Sequence, residues 1–126
     1  MLYAEDLQTI AAGAALSFTG SAINSPSGAI TSTAANSLTL APGQYLVSFV
    51  SDASVTEAGT VGAALALNGA ALPYGTAALT ASGPDADRIA ITAIVSPTAT
   101  SLLTVINNSA NAVSYENSTL TAVRLA

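Results

Sequence analysis

Acidic side chains are the groups in this sequence with the clearest chemistry. Asp85 and Asp87 are separated by one residue, and Glu5 and Asp6 stand together near the start. Two neighbouring carboxylates can bind calcium through their oxygens or act as an acid/base pair. The Asp85–Asp87 segment lacks the dense ligand spacing of a calcium loop, and Arg88 follows it as a local counter-ion. We therefore interpret this segment as a solvated turn, with calcium binding and catalysis as the alternatives.

The remaining residues offer no other reactive pair. Asp52 and Glu57 fall in a predicted loop between strands and Glu116 in another, where solubility alone explains a charge. The sequence has no His, no Cys and no Lys. This composition excludes a Ser-His-Asp triad, a Cys or Lys nucleophile, the usual zinc ligands and any disulfide. We predict no catalytic, cofactor or metal residue, and a protein that is not an enzyme.

The charge balance also excludes several partners. Seven acids against two Arg give a net charge of −5, which provides no electrostatic footprint for nucleic-acid phosphates or anionic lipid. The start of the chain is acidic where a secretory signal would be basic. The apolar stretch 60–79 is interrupted by Asn68-Gly69, Pro73 and Gly75, and Asn-Gly is a strong hairpin signal. We expect no nucleic-acid binding and no membrane insertion, but two strands joined at Asn68-Gly69.

Length and composition indicate one domain with an unusual surface. The 126 residues suffice for a single domain, 1–126, with 1–16 as an N-terminal segment where a stalk would join. Only 7% of residues are charged, against roughly 25% in an average domain. We therefore favour a large subunit interface. The alternative is a monomer with a surface of Ser, Thr, Asn and Ala.

The spacing of turn-forming residues and the alternation between them predict an all-β sandwich or barrel. Tyr45, Val47 and Phe49 should share one buried face of a strand, with Pro42-Gly43 forming a type II turn before it and setting its register. The other predicted turns and breakers are Gly20-Ser21, 24–28, 82–85 and 107–111.

Three predicted strands are apolar on both faces: 44–50, 89–95 and 102–106. Either they are central strands covered on both sides, or their outer faces meet another subunit. Gly62, Ala64 and Ala66 form a face of very small side chains, which allows the close approach of another backbone.

Some hydroxyl and amide residues match modification patterns. Asn107 and Asn117 each begin an N-glycosylation sequon, which we interpret as Asn in turns. The Ser- and Thr-rich stretch 17–39 could carry O-linked sugar, or could be strand and loop in a protein that avoids charge.

From about residue 17 onward the chain resembles a known family. The segments that carry the resemblance are 38–49 (L-T-L-A-P-G-Q-Y-L-V-S-F), 65–69, 103–107 and 118–125. They are similar to the jelly-roll head shared by complement-type globular heads and the tumour necrosis factor superfamily. The resemblance is greatest to the C-terminal heads of bacterial collagen-like exosporium glycoproteins of the BclA type.

This resemblance implies a compact, two-sheet antiparallel jelly roll of about ten strands that forms a homotrimer. It also implies a structural head on a collagen-like filament of a bacterial spore or cell surface (the exosporium), contributing coat, shielding or adhesion. The alternative function is a binding module that recognises a glycan or a host surface protein through its apical loops, near 52–60 and 83–87.

Overall fold

The computed structural model describes residues 1–23, 25–55, 59–81 and 87–126. Within these residues the chain forms eleven β-strands. They are β1 (Leu2–Ala4), β2 (Gln8–Ile10), β3 (Gly20–Ser21), β4 (Ile30–Ala34), β5 (Ser37–Leu40), β6 (Tyr45–Ser54), β7 (Gly59–Leu67), β8 (Ala70–Ala81), β9 (Asp87–Val95), β10 (Ser101–Ile106) and β11 (Val113–Arg124).

The strands form two antiparallel sheets, which confirms the predicted all-β, two-sheet class. The larger sheet has the order β3-β1-β11-β6-β9, and β2 also pairs with β11. The smaller sheet has the order β4-β5-β10-β7-β8. The count of eleven strands in the described residues is close to the predicted ten. Two of the eleven are short strands from the first ten residues, β1 and β2, which both pair with the long strand β11.

The strand pairs are nested along the chain. β7 pairs with β8, β6 with β9, β5 with β10 and β1 with β11. The chain therefore passes repeatedly between the two sheets, and strands far apart in sequence lie side by side. β11 lies between β1 and β6, at the centre of the larger sheet.

The core lies between the inner faces of the two sheets. Tyr45, Val47 and Phe49 have no exposed surface, as predicted from their alternation along β6. The Tyr45 hydroxyl donates to Ala41 O at 2.7 Å, so a polar group at the end of the core is satisfied. Facing them from the smaller sheet are other fully buried side chains, among them Leu38, Leu40, Val61, Leu65, Leu103 and Val105.

The hairpin predicted at Asn68-Gly69 joins β7 to β8. Both residues have positive φ, 52° and 85°, which a two-residue type I′ turn requires. The Asn68 side chain adds a further link, because its Oδ1 accepts a hydrogen bond from the Leu102 amide at 2.9 Å.

Two predicted turns differ in the structure. Gly20-Ser21, expected as a breaker, forms β3 and pairs with β1, because the pairing partner is distant and leaves no local signal. Pro42-Gly43 makes a bend rather than a type II turn. Gly43 has φ 155° instead of about 80°, and its amide donates to Pro97 O at 3.1 Å. The turn predicted at 82–85 lies outside the described residues.

Candidate functional site

The described acidic residues gather at one end of the larger sheet. Asp52, near the end of β6, pairs in register with Glu116 of β11 and Arg88 of β9. Asp87 begins β9, and Glu5 and Asp6 lie between β1 and β2, which flank the same part of β11. This end of the sheet therefore carries five carboxylates and one guanidinium, that of Arg88.

Asp52 and Glu116 were predicted in loops, and this was wrong. Both lie inside strands, β6 and β11. The neighbouring residues Ser51, Ala53 and Tyr115 are buried, whereas Asp52 is half-buried and Glu116 is exposed. A charge on the solvent face is therefore compatible with a strand. Glu57 and Asp85 lie outside the described residues, as do parts of the loops expected to present a binding surface.

Asp52 is the centre of a small polar network. Arg88 NH1 donates to Asp52 Oδ1 at 3.0 Å, and Asn117 Nδ2 donates to Asp52 Oδ2 at 3.2 Å. These two hydrogen bonds, with that from Asn117 contributing most, lower the pKa of Asp52 below its usual value. Arg88 was expected to accompany Asp85 and Asp87, but its ion pair joins the neighbouring strand instead.

A β-bulge between Glu116 and Thr119 places Asn117 beside Asp52. Asn117 has φ 53°, a left-handed conformation that Asn tolerates better than most residues. Next to it, Ser118 Oγ is buried and lies 2.8 Å from Ser51 Oγ, which in turn lies 3.2 Å from Glu116 O. The buried hydroxyls thus occupy the hydrogen-bonding sites that the bulge opens in the ladder.

The two sequon asparagines have different surroundings. Asn107 is fully buried, and its Nδ2 donates to Ile10 O and Asn111 O, both at 2.9 Å. Its amide therefore fixes the loop after β10, as expected for an Asn in a turn. Asn117 is exposed but lies in the bulge of β11 rather than in a turn.

A buried tyrosine on the inner face of β11 links the two sheets. Tyr115 has no exposed surface, and its hydroxyl donates to Gly62 O at 2.6 Å. Burial raises the pKa of Tyr115 far above its usual value. A backbone segment does approach Gly62 closely, as predicted, and it is the loop after β10 of the same chain. A Cβ at Gly62 would lie 3.2 Å from Asn108 O.

Aliphatic side chains form a row on the outer face of the larger sheet. Ile94, Leu46 and Val123 are paired in register across β9, β6 and β11. They are 54%, 40% and 52% exposed. The outer faces of the doubly apolar segments 44–50 and 89–95 are therefore open to solvent in the single chain. We call these three residues the aliphatic row.

No protein-family model matches the chain, and none of the curated proteins matches it.

Across the described ranges, no three acidic side chains come together as a metal cluster would require. No helix in the same ranges has the length and apolar character needed to cross a membrane.

Proposed function

We propose that this chain is a non-enzymatic structural head with a compact jelly-roll fold, which assembles into a homotrimer. The nested pairing supports the jelly roll. A jelly roll is a long antiparallel hairpin wrapped into two sheets, so that strands before and after the central turn pair with each other. Here β5–β10, β6–β9 and β7–β8 follow that pattern around Asn68-Gly69, and β1 pairs with β11 outside them.

The observation that carries the assembly is the aliphatic row. Three large apolar side chains in adjacent strands make a continuous patch, and such patches on soluble proteins mark interaction sites. The row contains no charge, and the chain has only nine charged residues for a surface of 6097 Å². Packing this face against further copies would remove the patch from water, and closed rotational symmetry would do so without forming open polymers.

The number of subunits and the biological setting rest on the resemblance of 38–49, 65–69, 103–107 and 118–125 to bacterial collagen-like heads. We propose that the trimer is the head of a filament protein on a bacterial spore or cell surface, where it contributes coat, shielding or adhesion. A Gly-X-Y repeat encoded upstream of Met1 is the finding expected for such a filament.

Light scattering after size exclusion tests the assembly. The wild-type chain should have about three times the subunit mass of 12.3 kDa at micromolar concentration. Leu46→Glu places a carboxylate in the middle of the aliphatic row and should yield monomers, because a buried unpaired charge is costly. Leu102→Glu is the matched control. Leu102 is similarly exposed, at 45%, but lies in β10 of the smaller sheet.

Circular dichroism of both variants separates loss of assembly from loss of folding. Leu46→Glu should keep the β-sheet spectrum of the wild type, because the side chain faces solvent in the single chain. A wild-type monomer at micromolar concentration would refute the proposal. A trimer that persists in Leu46→Glu would refute the assigned face.

A further inference from the structure

Tyr3 lines a groove on the outer face of the larger sheet. It lies in β1, in register with Gly20 of β3 on one side and Thr119 of β11 on the other. The Tyr3 ring packs over Gly20, where a Cβ would overlap it. The ring thus occupies the position over β3. A groove of about 390 Å³ remains beside it, lined in part by Tyr3, Glu5, Asn117 and Thr119.

The groove is small and mixed in character. Its volume falls at the lower end of the range for small-molecule sites, roughly 300–1,000 Å³. The exposed Tyr3 ring supplies an aromatic wall. Glu5 supplies a carboxylate, Asn117 an amide and Thr119 a hydroxyl. An aromatic wall with a few polar groups is typical of sites for small polar ligands.

The bulge in β11 holds the polar wall in place. Asn117 Nδ2 donates to Asp52 at 3.2 Å, and the Asn117 backbone amide donates to Glu5 O at 3.3 Å. The Tyr3 ring is positioned differently, by packing over Gly20. The aromatic and polar walls are therefore ordered before any ligand arrives, which lowers the entropic cost of binding.

We propose that this groove binds a neutral saccharide. The C–H face of a sugar ring is weakly positive and complements the negative face of the Tyr3 ring. Sugar hydroxyls both donate and accept, which matches the acceptor-only carboxylate of Glu5, the amide of Asn117 and the hydroxyl of Thr119. An anionic ligand is disfavoured because the five carboxylates of Glu5, Asp6, Asp52, Asp87 and Glu116 outnumber the two cations at this end, Arg88 and the ammonium of Met1, which also lines the groove.

The saccharide groove is separate from the aliphatic row. Thr119 and Val123 are four residues apart along β11, which corresponds to about 13 Å. Saccharide binding therefore does not depend on the proposed assembly, and either proposal can fail without the other.

Nuclear magnetic resonance titration of the ¹⁵N-labelled full chain tests the site. The probes are glucose, galactose and N-acetylglucosamine, with glucuronate and choline as charged comparisons. At least one neutral sugar should shift amide signals of residues 3–5 and 117–119, with a Kd of about 1–10 mM, a weak affinity suited to a shallow groove. No shift in this region with any neutral sugar at about 50 mM, where such a site would be mostly filled, would overturn the proposal.

Variants then assign the binding to the groove. Tyr3→Ala should weaken binding at least tenfold, whereas Tyr3→Phe should retain it because the ring remains. Asn117→Gly keeps the left-handed backbone at φ 53° and should weaken binding severalfold by removing the amide. Tyr74→Ala, at an exposed tyrosine of β8, is the matched control and should bind as the wild type does. Unchanged binding in Tyr3→Ala, or tighter binding of choline or glucuronate than of the sugars, would refute the assignment.

Discussion

Tyr115→Phe is the sharpest test of the core, because it removes one buried hydrogen bond and little else. The Tyr115 hydroxyl donates to Gly62 O at 2.6 Å inside the protein. Phenylalanine fills the same space but leaves that carbonyl oxygen without this donor. Leaving a buried acceptor unsatisfied costs about 1–3 kcal/mol. We expect the free energy of unfolding at pH 7 to fall by that amount.

The same variant should also change how the free energy of unfolding depends on pH above pH 10. An exposed tyrosine has a pKa of about 10, and burial raises the pKa of Tyr115 well above that value. Above pH 10 the unfolded chain therefore loses this proton while the folded chain keeps it. Stability then falls as the pH rises, by up to about 1.4 kcal/mol per pH unit. Phenylalanine has no proton to lose, so the stabilities of variant and wild type should converge above pH 10.

Urea unfolding followed by circular dichroism at pH 7 and pH 11 measures both effects. The protein concentration is held constant, because the proposed assembly would make the apparent stability depend on concentration. Tyr74→Phe is the control, since Tyr74 is 58% exposed. Equal stability of Tyr115→Phe and wild type at pH 7, or parallel alkaline limbs, would show that the hydroxyl does not stabilise the core as described.

Further substitutions test the core, the bend before β6 and the surface ion pair. Phe49→Ala should cost about 3–5 kcal/mol in chemical denaturation, and a loss below about 1 kcal/mol would contradict its buried position. Gly43→Ala should lower Tm more than Gly13→Ala. Both glycines have positive φ, but only at Gly43 would an added Cβ lie 2.8 Å from Ala126 O. Equal losses of Tm in the two variants would exclude that clash. Arg88→Ala should cost less than about 1 kcal/mol, because the pair with Asp52 is largely exposed. The stability that Asp52 contributes should be present above pH 3.8 and lost as the pH falls through its lowered pKa, as an acid titration of wild type against Asp52→Asn would show.

Local pattern was sufficient to predict the buried face of β6 and the hairpin between β7 and β8, although not the full length of β6 or β11. Alternation placed Tyr45, Val47 and Phe49 on the buried face, because successive side chains of a strand point to opposite sides. Asn68-Gly69 identified its hairpin because the turn demands two residues that accept positive φ. Both signals lie within a few residues of the structure that they specify.

The short strands and the saccharide groove could not be predicted in this way. β1, β2 and β3 have three, three and two residues, too few to show a period, and β1 and β2 depend on pairing with β11 at the other end of the chain. The bulge that positions Asn117 is a mismatch between β6 and β11, so neither strand alone encodes it. The contact between Tyr3 and Gly20 likewise exists only once β1 and β3 have paired.

The nested strand pairs also determine how this chain can fold. The turn at Asn68-Gly69 joins β7 to β8 with a two-residue loop. Once β7 and β8 have paired, β6 and β9 lie close together and can pair, and β5 and β10 can pair after them. The entropy lost in closing each loop is thereby small, although the paired strands are distant in sequence. The centre of the larger sheet nevertheless cannot form until β11 has been synthesised, because β11 lies between β1 and β6. The core between the two sheets is therefore completed only after residues 113–124 have been synthesised.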